Sequence, residues 1–472
     1  MNVKALGIFL GARRVGVLFQ YGEDPAGENP GAGIITRFVA DESYIRDPAP
    51  PTLSAGLLAD TPEEQALFWH DVQSENFNGW FSEKNGWLLP PFFQNLLPEG
   101  IFRDHVAALR GCSPKDNFEM LAACGRDLPG NVHALPLTLS RDELAHYVTQ
   151  TQDALEMSVT ADPLEEGVSL SGVQPKVGVI LENGRYVGRT KDQDTHIIAK
   201  LPVVDRPRLP ELEHLSLALA RAAGVDTCEA YLEPLEKLAV QHGYDLGDAD
   251  TRTPFLAVVR YDRPPQGRVH CEDFAQVFGE MPEDKYGGRR RAGEPWTYLD
   301  IAAVLLGFPS LGEAAVHELL RRLVVNEMLG NPDMHLKNIG LLYRDGRAPE
   351  LPPAYDIVAY AAFGGAVGHA LYLMPPAMLP GLRREATGRR QQMLSPALLR
   401  AFCAALGIPE KPASKVIADC VRAAHAHWRG MIQESGVTDK QKARLIAHFD
   451  AHPLVASLAR RRGAPASARA ES

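Results

Sequence analysis

The hydrophobic period changes partway along the chain, and that limits its architecture more than any other feature. Between residue 168 and about 262, apolar residues come in short runs rich in Val, Ile and Thr: VQPKVGVIL (173–181), THIIAKLP (195–202) and PFLAVVRYDR (254–263). Such runs predict strands. Beyond residue 297 the repeat lengthens: VHELLRRLVVNEMLG (316–330) is apolar at 316, 319, 320, 323, 324 and 328, a helical period. A sheet-rich unit followed by a helical one, in a chain of 472 residues, predicts a two-lobed α+β fold. At about 150 residues per domain there is room for a third unit.

Residues 1–150 supply that unit as an N-terminal α/β module. VKALGIFL (3–10) and RVGVLFQY (14–21) read as a hairpin, and GIITRFVA (33–40) as a further strand. The pattern over 87–125 is helical, with Gly111 and Gly125 as stops and Ser113 as an N-cap before Pro114. The acidic stretch 153–167 reads as a linker. Within the small lobe (151–296), Asn183-Gly184 is a hairpin turn between VQPKVGVIL and THIIAKLP, and ELEHLSLALARAAG (211–224) an amphipathic helix ending on Gly224. A Gly- and Arg-rich loop, KYGGRRRAGEP, spans 285–295. The large lobe (297–453) continues in helices over 394–408, 413–434 and 439–449, and 454–472 reads as a frayed tail.

Composition removes several function classes. Hydrophobic residues at 45% and charged residues at 23% exclude global disorder. A net charge of −10 argues against a nucleic-acid coat or a polybasic membrane binder. Six cysteines, none in a C-x-x-C pair, fit neither a zinc ribbon nor a disulfide scaffold and suit a reducing cytoplasm. The first twenty residues read as strand, turn, strand rather than a signal peptide, and no run of 18 apolar residues occurs to span a bilayer.

The most informative segment is NEMLGNPDMHLKNIGLLY (326–343). A helix ends at Gly330, a polar turn carries Asp333, His335, Lys337 and Asn338, and a short strand follows. Asp333 and Asn338 stand five apart, the interval between base and metal-binding Asn in the kinase pattern H-R-D-x-x-x-x-N. One carboxylate accepts the proton of the attacking hydroxyl while a nearby amide oxygen holds magnesium on the phosphates. Asp356, eighteen residues on, supplies a second carboxylate for that ion. The plain alternative is turn chemistry, since Asn-Pro-Asp is a turn sequence by itself; His335 alone reads as a structural hydrogen-bonder. Lys200, ending the strand HIIAK, and Glu213, on the following helix, match the strand-lysine and helix-glutamate pair of protein kinases, against the usual fate of a solvent-facing lysine. SLSGVQPK (169–176) is neither G-x-G-x-x-G nor a P-loop; as a phosphate cradle it would use the backbone at Gly172 and Val173 and the charge of Lys176.

Taken in order, SLSGVQPK, HIIAKLP, ELEHLSLALARAAG, FLAVVRYDR, EDFAQVFG, NPDMHLKN and AYDI resemble the HipA family of bacterial serine/threonine kinases, the toxins of toxin–antitoxin pairs. RVGVL, FFQNLLPEG and FEMLAACGRDLPGNV resemble that family's first subdomain. The resemblance covers roughly residues 1–400 and implies a kinase-like fold using ATP and Mg²⁺. Carried over by position, Asp333 is the proton acceptor, Asn338 and Asp356 the metal ligands, and Lys200 a phosphate contact oriented by Glu213. Ser171, Gly172, Val173, Gln174, Pro175 and Lys176 cover the nucleotide, and Val259, Arg260 and Tyr261 line the adenine-side hinge. His335, Leu336, Lys337 and Asn338, with Tyr355, Asp356, Ile357 and Val358, complete the pocket. Ser169 matches a loop serine whose autophosphorylation silences the kinase, with Ser171 as a neighbouring competitor. The hinge departs from the family, which often has Glu before the Arg where VVRYDR has Val. The spacing of GRTKDQDTHIIAK differs a little from the family's as well.

The implied activity is ATP-dependent phosphorylation of a Ser or Thr on a cellular protein, by resemblance an aminoacyl-tRNA synthetase. Two other readings stand beside it. One is a co-repressor that meets DNA only through a small helix-turn-helix antitoxin; the other is a small-molecule kinase, against which the large N-terminal module weighs. The expected location is the cytoplasm, without membrane contact.

Overall fold

The computed structural model describes residues 2–22, 34–72, 88–147, 156–165, 167–170, 172, 174–190, 193–288, 294–365, 368–378 and 392–463. Ser171 and Val173, residues 289–293 of the Arg-rich loop and the end of the chain from 464 lie outside them.

The N-terminal hairpin forms as the alternation predicts. β1 (Asn2–Leu10) and β2 (Arg13–Gly22) pair antiparallel around Gly11, whose φ of 58° suits glycine. β3 (Ile34–Ala40) adds to β2, β4 (Val132–Pro136) to β1, and β5 (Glu156–Met157), from the acidic linker, runs parallel to β1. The linker is therefore packed rather than loose: Arg110 donates to the Ala161 and Asp162 carbonyls. The helix Gly100–Arg110 stops on Gly111 in the left-handed region. The helix Asn117–Cys124 is capped by Asp116, not Ser113. Two turn residues, Pro114 and Lys115, follow Ser113, so the Asp116 carboxylate is the group that reaches the Glu119 amide, and Ser113 Oγ accepts from Lys115 instead.

The small lobe is a six-stranded sheet in which β8 (Ile197–Lys200) lies between β6 (Lys176–Glu182) and β11 (Pro254–Val259). Asn183 (φ 50°) and Gly184 (φ 76°) make the tight turn, but it joins β6 to the short β7 (Arg185–Val187); THIIAK pairs along the other edge of β6. β9 (Ala230–Pro234) and β10 (Leu238–Ala239) end the sheet on either side. The helix Leu209–Ala222 buries Leu212, Leu215 and Leu219 in a core shared with the large lobe, where Trp428 Nε1 donates to the Leu219 carbonyl at 2.8 Å.

The large lobe is built from Tyr298–Gly307, Gly312–Leu329, Pro396–Leu406, Glu410–Glu434 and Asp439–Ala451. The chain beyond 454 is not frayed at once: a helix runs from Pro453 to Gly463, held by buried Val455 and by His452, whose Nε2 lies 3.1 Å from Glu327 Oε2. A two-stranded sheet of β12 (His270–Asp273) and β13 (Gly340–Tyr343) carries the strand after the polar turn. Among the described residues no helix is long and apolar enough to cross a membrane.

A buried ionic hub locks the N-terminal module to the rest. Asp127 pairs with Arg263 at 3.0 Å, Asp262 bonds Arg260 at 2.8 Å and Arg263 at 2.6 Å, and Arg263 also donates to the Gly130 carbonyl.

Candidate active site in the cleft between the lobes

The helix Gly312–Leu329 has to stop where the polar turn begins. Gly330 takes φ 62°, and a Cβ there would lie 2.9 Å from that of Ala361. The Asp333 amide donates to Asn331 Oδ1, and five residues on, Asn338 Nδ2 donates to the Asp333 carbonyl at 2.8 Å. The five-residue spacing thus closes the loop on itself, with both side chains on one short arc. The Asn338 amide nitrogen is engaged, so its oxygen remains an acceptor.

Lys200 stands opposite this loop. Its ammonium lies 2.5 Å from Glu213 Oε1 and 2.5 Å from Asp356 Oδ1, a strand lysine between a helix carboxylate and a loop carboxylate. Asp356 is one of three non-glycine residues with positive φ, at 56°, among the described residues. A strained residue at a cleft marks a site that uses it. Burial alone would raise its carboxyl, but the Lys200 and Lys176 cations hold it well below the usual carboxylate range. Asp333 is shifted the other way, upward, by burial and by the charge of Asp356.

Lys176 and Lys200 face each other directly across β6 and β8. Like charges in that position repel. Burial, with Lys200 adding to it, pushes the Lys176 ammonium down to about 8. Two buried cations in register, with Asp356 between them and the loop, describe a place for an anion of high charge.

Lys176, Lys200, Asn338 and Asp356 line a cleft of about 1010 Å³, including its open mouth; Asp333 is not among its lining residues. Apolar side chains, Ile198, Cys228, Val258 and Val259, line it as well. Tyr261 and Tyr355 also line it, their rings 5.5 Å apart. Apolar and cationic side chains lining one cleft suit the base and the phosphates of a nucleotide. Asp356 and the Asn338 oxygen are hard oxygen donors; together with phosphate oxygens they suit Mg²⁺, which takes few protein ligands. Among the described residues no cluster of three His, Cys, Asp or Glu offers a self-sufficient metal site.

Other candidates are placed elsewhere. Leu336, Ile357 and Val358 belong to the hydrophobic core. The Arg260 guanidinium is taken up by Asp262, Asp127 and Thr195, and the Val259 and Arg260 amides already donate to Glu229 and His196. The hinge therefore offers apolar surface rather than these donors. Pro175 accepts from the Leu201 amide, and Gln174 has a buried Nε2 without a hydrogen-bond partner among the described residues. Gly172, at φ 92°, donates to Glu99, and Ser169 is buried with its hydroxyl donating to the Leu96 carbonyl. Burial holds His335 neutral, pushing it down to about 3.

Four site residues escaped the sequence reading. Lys337 Nζ is held by Asn95 Oδ1 at 2.9 Å and Asp273 Oδ2 at 3.0 Å, and Glu99 lies 3.9 Å away. Tyr286 donates to Asp333 Oδ1 at 2.7 Å. Asn95 and Glu99 lie in FFQNLLPEG, which had stood out only as a family segment, so the N-terminal module reaches into the cleft.

Comparison with known proteins agrees with this geometry. The HipA N-terminal domain model matches residues 6–135, and the HipA-like C-terminal domain model matches 168–428. The protein named Putative kinase Y4dM of Sinorhizobium fredii is 35% identical over 331 residues, 69% of this chain and 72% of that protein. Putative kinase Y4mE of the same organism is 32% identical over 291 residues, 58% and 64% of the two chains. The HipA of Shewanella oneidensis MR-1, solved with HipB and operator DNA, superposes with a TM-score of 0.61 at 19% identity, covering 96% of this chain and 97% of that one. Both domain models match in order around a kinase-like cleft, and the chain belongs to the HipA family as a HipA-like kinase.

Proposed function

We propose that the protein transfers the γ-phosphoryl group of ATP to a Ser or Thr hydroxyl of another protein. The observation that carries the reading is the Lys200 ammonium shared between Glu213 and Asp356, across the cleft from Asp333 and Asn338. Asn338 and Asp356 would hold Mg²⁺, which when bound neutralises and orients the phosphates. Lys176 and Lys200 draw in the triphosphate, and the apolar side chains of the cleft take the base. Asp333 takes the acceptor's proton, the acceptor oxygen bonds to the γ-phosphorus, and the bond to the leaving ADP breaks. General-base help of this kind is worth about 10²–10⁴-fold. Asp333→Asn should therefore reduce label transfer from γ-labelled ATP to a lysate protein to background while ATP-analogue binding persists. Transfer at the parent rate removes Asp333 from the mechanism. Label found only on small metabolites favours a small-molecule kinase.

Ser169 is the proposed site of silencing. Its hydroxyl is buried against the Leu96 carbonyl, so the segment has to swing out before the hydroxyl can be modified. A phosphate of charge about −1.5 to −2 has no place beside a carbonyl oxygen, which traps the segment outside. Incubation with ATP and phosphopeptide mapping should find the mark on Ser169. Absence of phosphate from both Ser169 and Ser171 overturns this.

The Shewanella complex with HipB and operator DNA supports a DNA-binding antitoxin as partner. A net charge of −10 suits recruitment to DNA through that partner rather than direct contact. The protein target is an aminoacyl-tRNA synthetase by family resemblance.

A further inference from the structure

The proposed base has a neighbour from outside its own loop. Pro282–Asp284 form a single 3-10 turn, the Gly287 amide donates back to the Asp284 carbonyl at 3.1 Å, and the Gly287 carbonyl accepts from Trp296 at 2.8 Å. The Lys285 carbonyl accepts from the Leu336 amide at 3.0 Å, which pins this turn to the catalytic loop. Tyr286 is thereby presented to Asp333, and its hydroxyl donates to Oδ1 at 2.7 Å. Its ring meets His335 edge-on, the centroids 5.1 Å apart. His335 Nε2 lies 4.0 Å from the same Oδ1, and that imidazole is kept neutral by burial. The other carboxylate oxygen, Oδ2, has no hydrogen-bond donor among the described residues, and about a third of the Asp333 side chain is exposed.

We propose that Tyr286 is a positioning residue for phosphoryl transfer: its phenol holds Asp333 Oδ1, fixing the carboxylate so that Oδ2 takes the acceptor's proton. The proposal rests on the reading of Asp333 as proton acceptor. A base oriented by a third group is the usual construction where one side chain must deprotonate a hydroxyl. A neutral phenol orients the carboxylate without placing a cation where it would compete for the phosphates. No residue of the kinase motif H-R-D-x-x-x-x-N supplies this contact, because Tyr286 lies 47 residues upstream of Asp333.

Tyr286→Phe is the test, in the full-length protein, by initial rates of label transfer from γ-labelled ATP to the acceptor band across ATP concentrations. Tyr286 is 41% exposed, so the ring swap leaves the core intact. The maximal rate should fall about tenfold, as expected for loss of a hydrogen bond to a charged group. KM for ATP should stay at the parent's value, so that the whole loss falls on the transfer step. A purely structural tyrosine would change both constants or neither. A maximal rate equal to the parent's, or a faster enzyme, overturns the proposal, the latter meaning that the phenol blocks the base. Asp333→Asn in parallel separates the two readings: if it transfers label at the parent rate, the underlying mechanism fails, whereas an inactive Asp333→Asn beside an unaltered Tyr286→Phe removes only the positioning role.

Discussion

Two clusters of buried charge are built on opposite plans. In the hub, Asp127 and Asp262 are sealed against Arg260 and Arg263, whose side chains are no more than 5% exposed, and the Nη groups donate to carboxylates, carbonyls and the Thr195 hydroxyl. In the cleft, one lysine is shared by two carboxylates, a second lysine faces it across adjacent strands, and Asp356 holds a positive φ with a third of its side chain open. The hub's charges are closed off from solvent. The cleft's are paired as well, Lys200 with Glu213 and Asp356, but they open to solvent at Asp356, which leaves room for the proposed nucleotide and cation. Sealed charge is architecture; open charge is available to a ligand.

The comparison breaks if the two clusters respond alike to removal of one carboxylate. Asp127→Asn leaves Arg260 and Arg263 with excess buried positive charge and should cost about 3–5 kcal/mol, read as a lower denaturation midpoint. Asp356→Asn should leave the unfolding free energy within about 1–2 kcal/mol, because Lys200 keeps Glu213 and Asn tolerates the left-handed backbone. It should still lower phosphoryl transfer by at least about a hundredfold through loss of a metal-binding carboxylate. A stable Asp127→Asn protein beside an unfolded Asp356→Asn one would reverse the assignment of the two clusters.

The sequence carried the cleft more fully than the hub, and the reason is spacing. Asp333 and Asn338 share one turn, and Lys200 and Glu213 lie on consecutive elements, so local pattern exposes both pairs. Arg260 stood at the hinge by family resemblance, whereas its partner Asp127 lies 133 residues earlier and no local period links them. The same distance hid Asn95, which reaches Lys337 across 242 residues. Leu336, Ile357 and Val358 came into the pocket with the family segments that contain them, but their side chains are packed in the hydrophobic core. The fold classes were legible from the change of period. The turn at Asn183-Gly184 was legible too, though not its partner, since β7 is only three residues long and carries little pattern of its own.

Lys176 gives the smallest effect and the sharpest one. A buried ammonium pushed down to about 8 is a cation below that pH and neutral above it. The cation attracts phosphates, so affinity for an ATP analogue should weaken as pH climbs through about 8. The bound anion itself favours the charged form, which keeps the change to roughly severalfold. Lys176→Met should bind roughly tenfold more weakly at neutral pH, for loss of a charge-assisted contact, and should flatten the affinity between pH 7 and 9. The hub offers a contrast within the same titration. Arg260 is held more firmly charged by Asp262 and Asp127 than in water, and Asp262 is held far below the usual carboxylate range, so neither changes state over that interval. Affinity measured by fluorescence titration, paired with denaturation midpoints at the same pH values, separates the two. If the substituted protein keeps the parent's pH dependence, the second lysine has no part in holding the anion, and Lys200 alone does so.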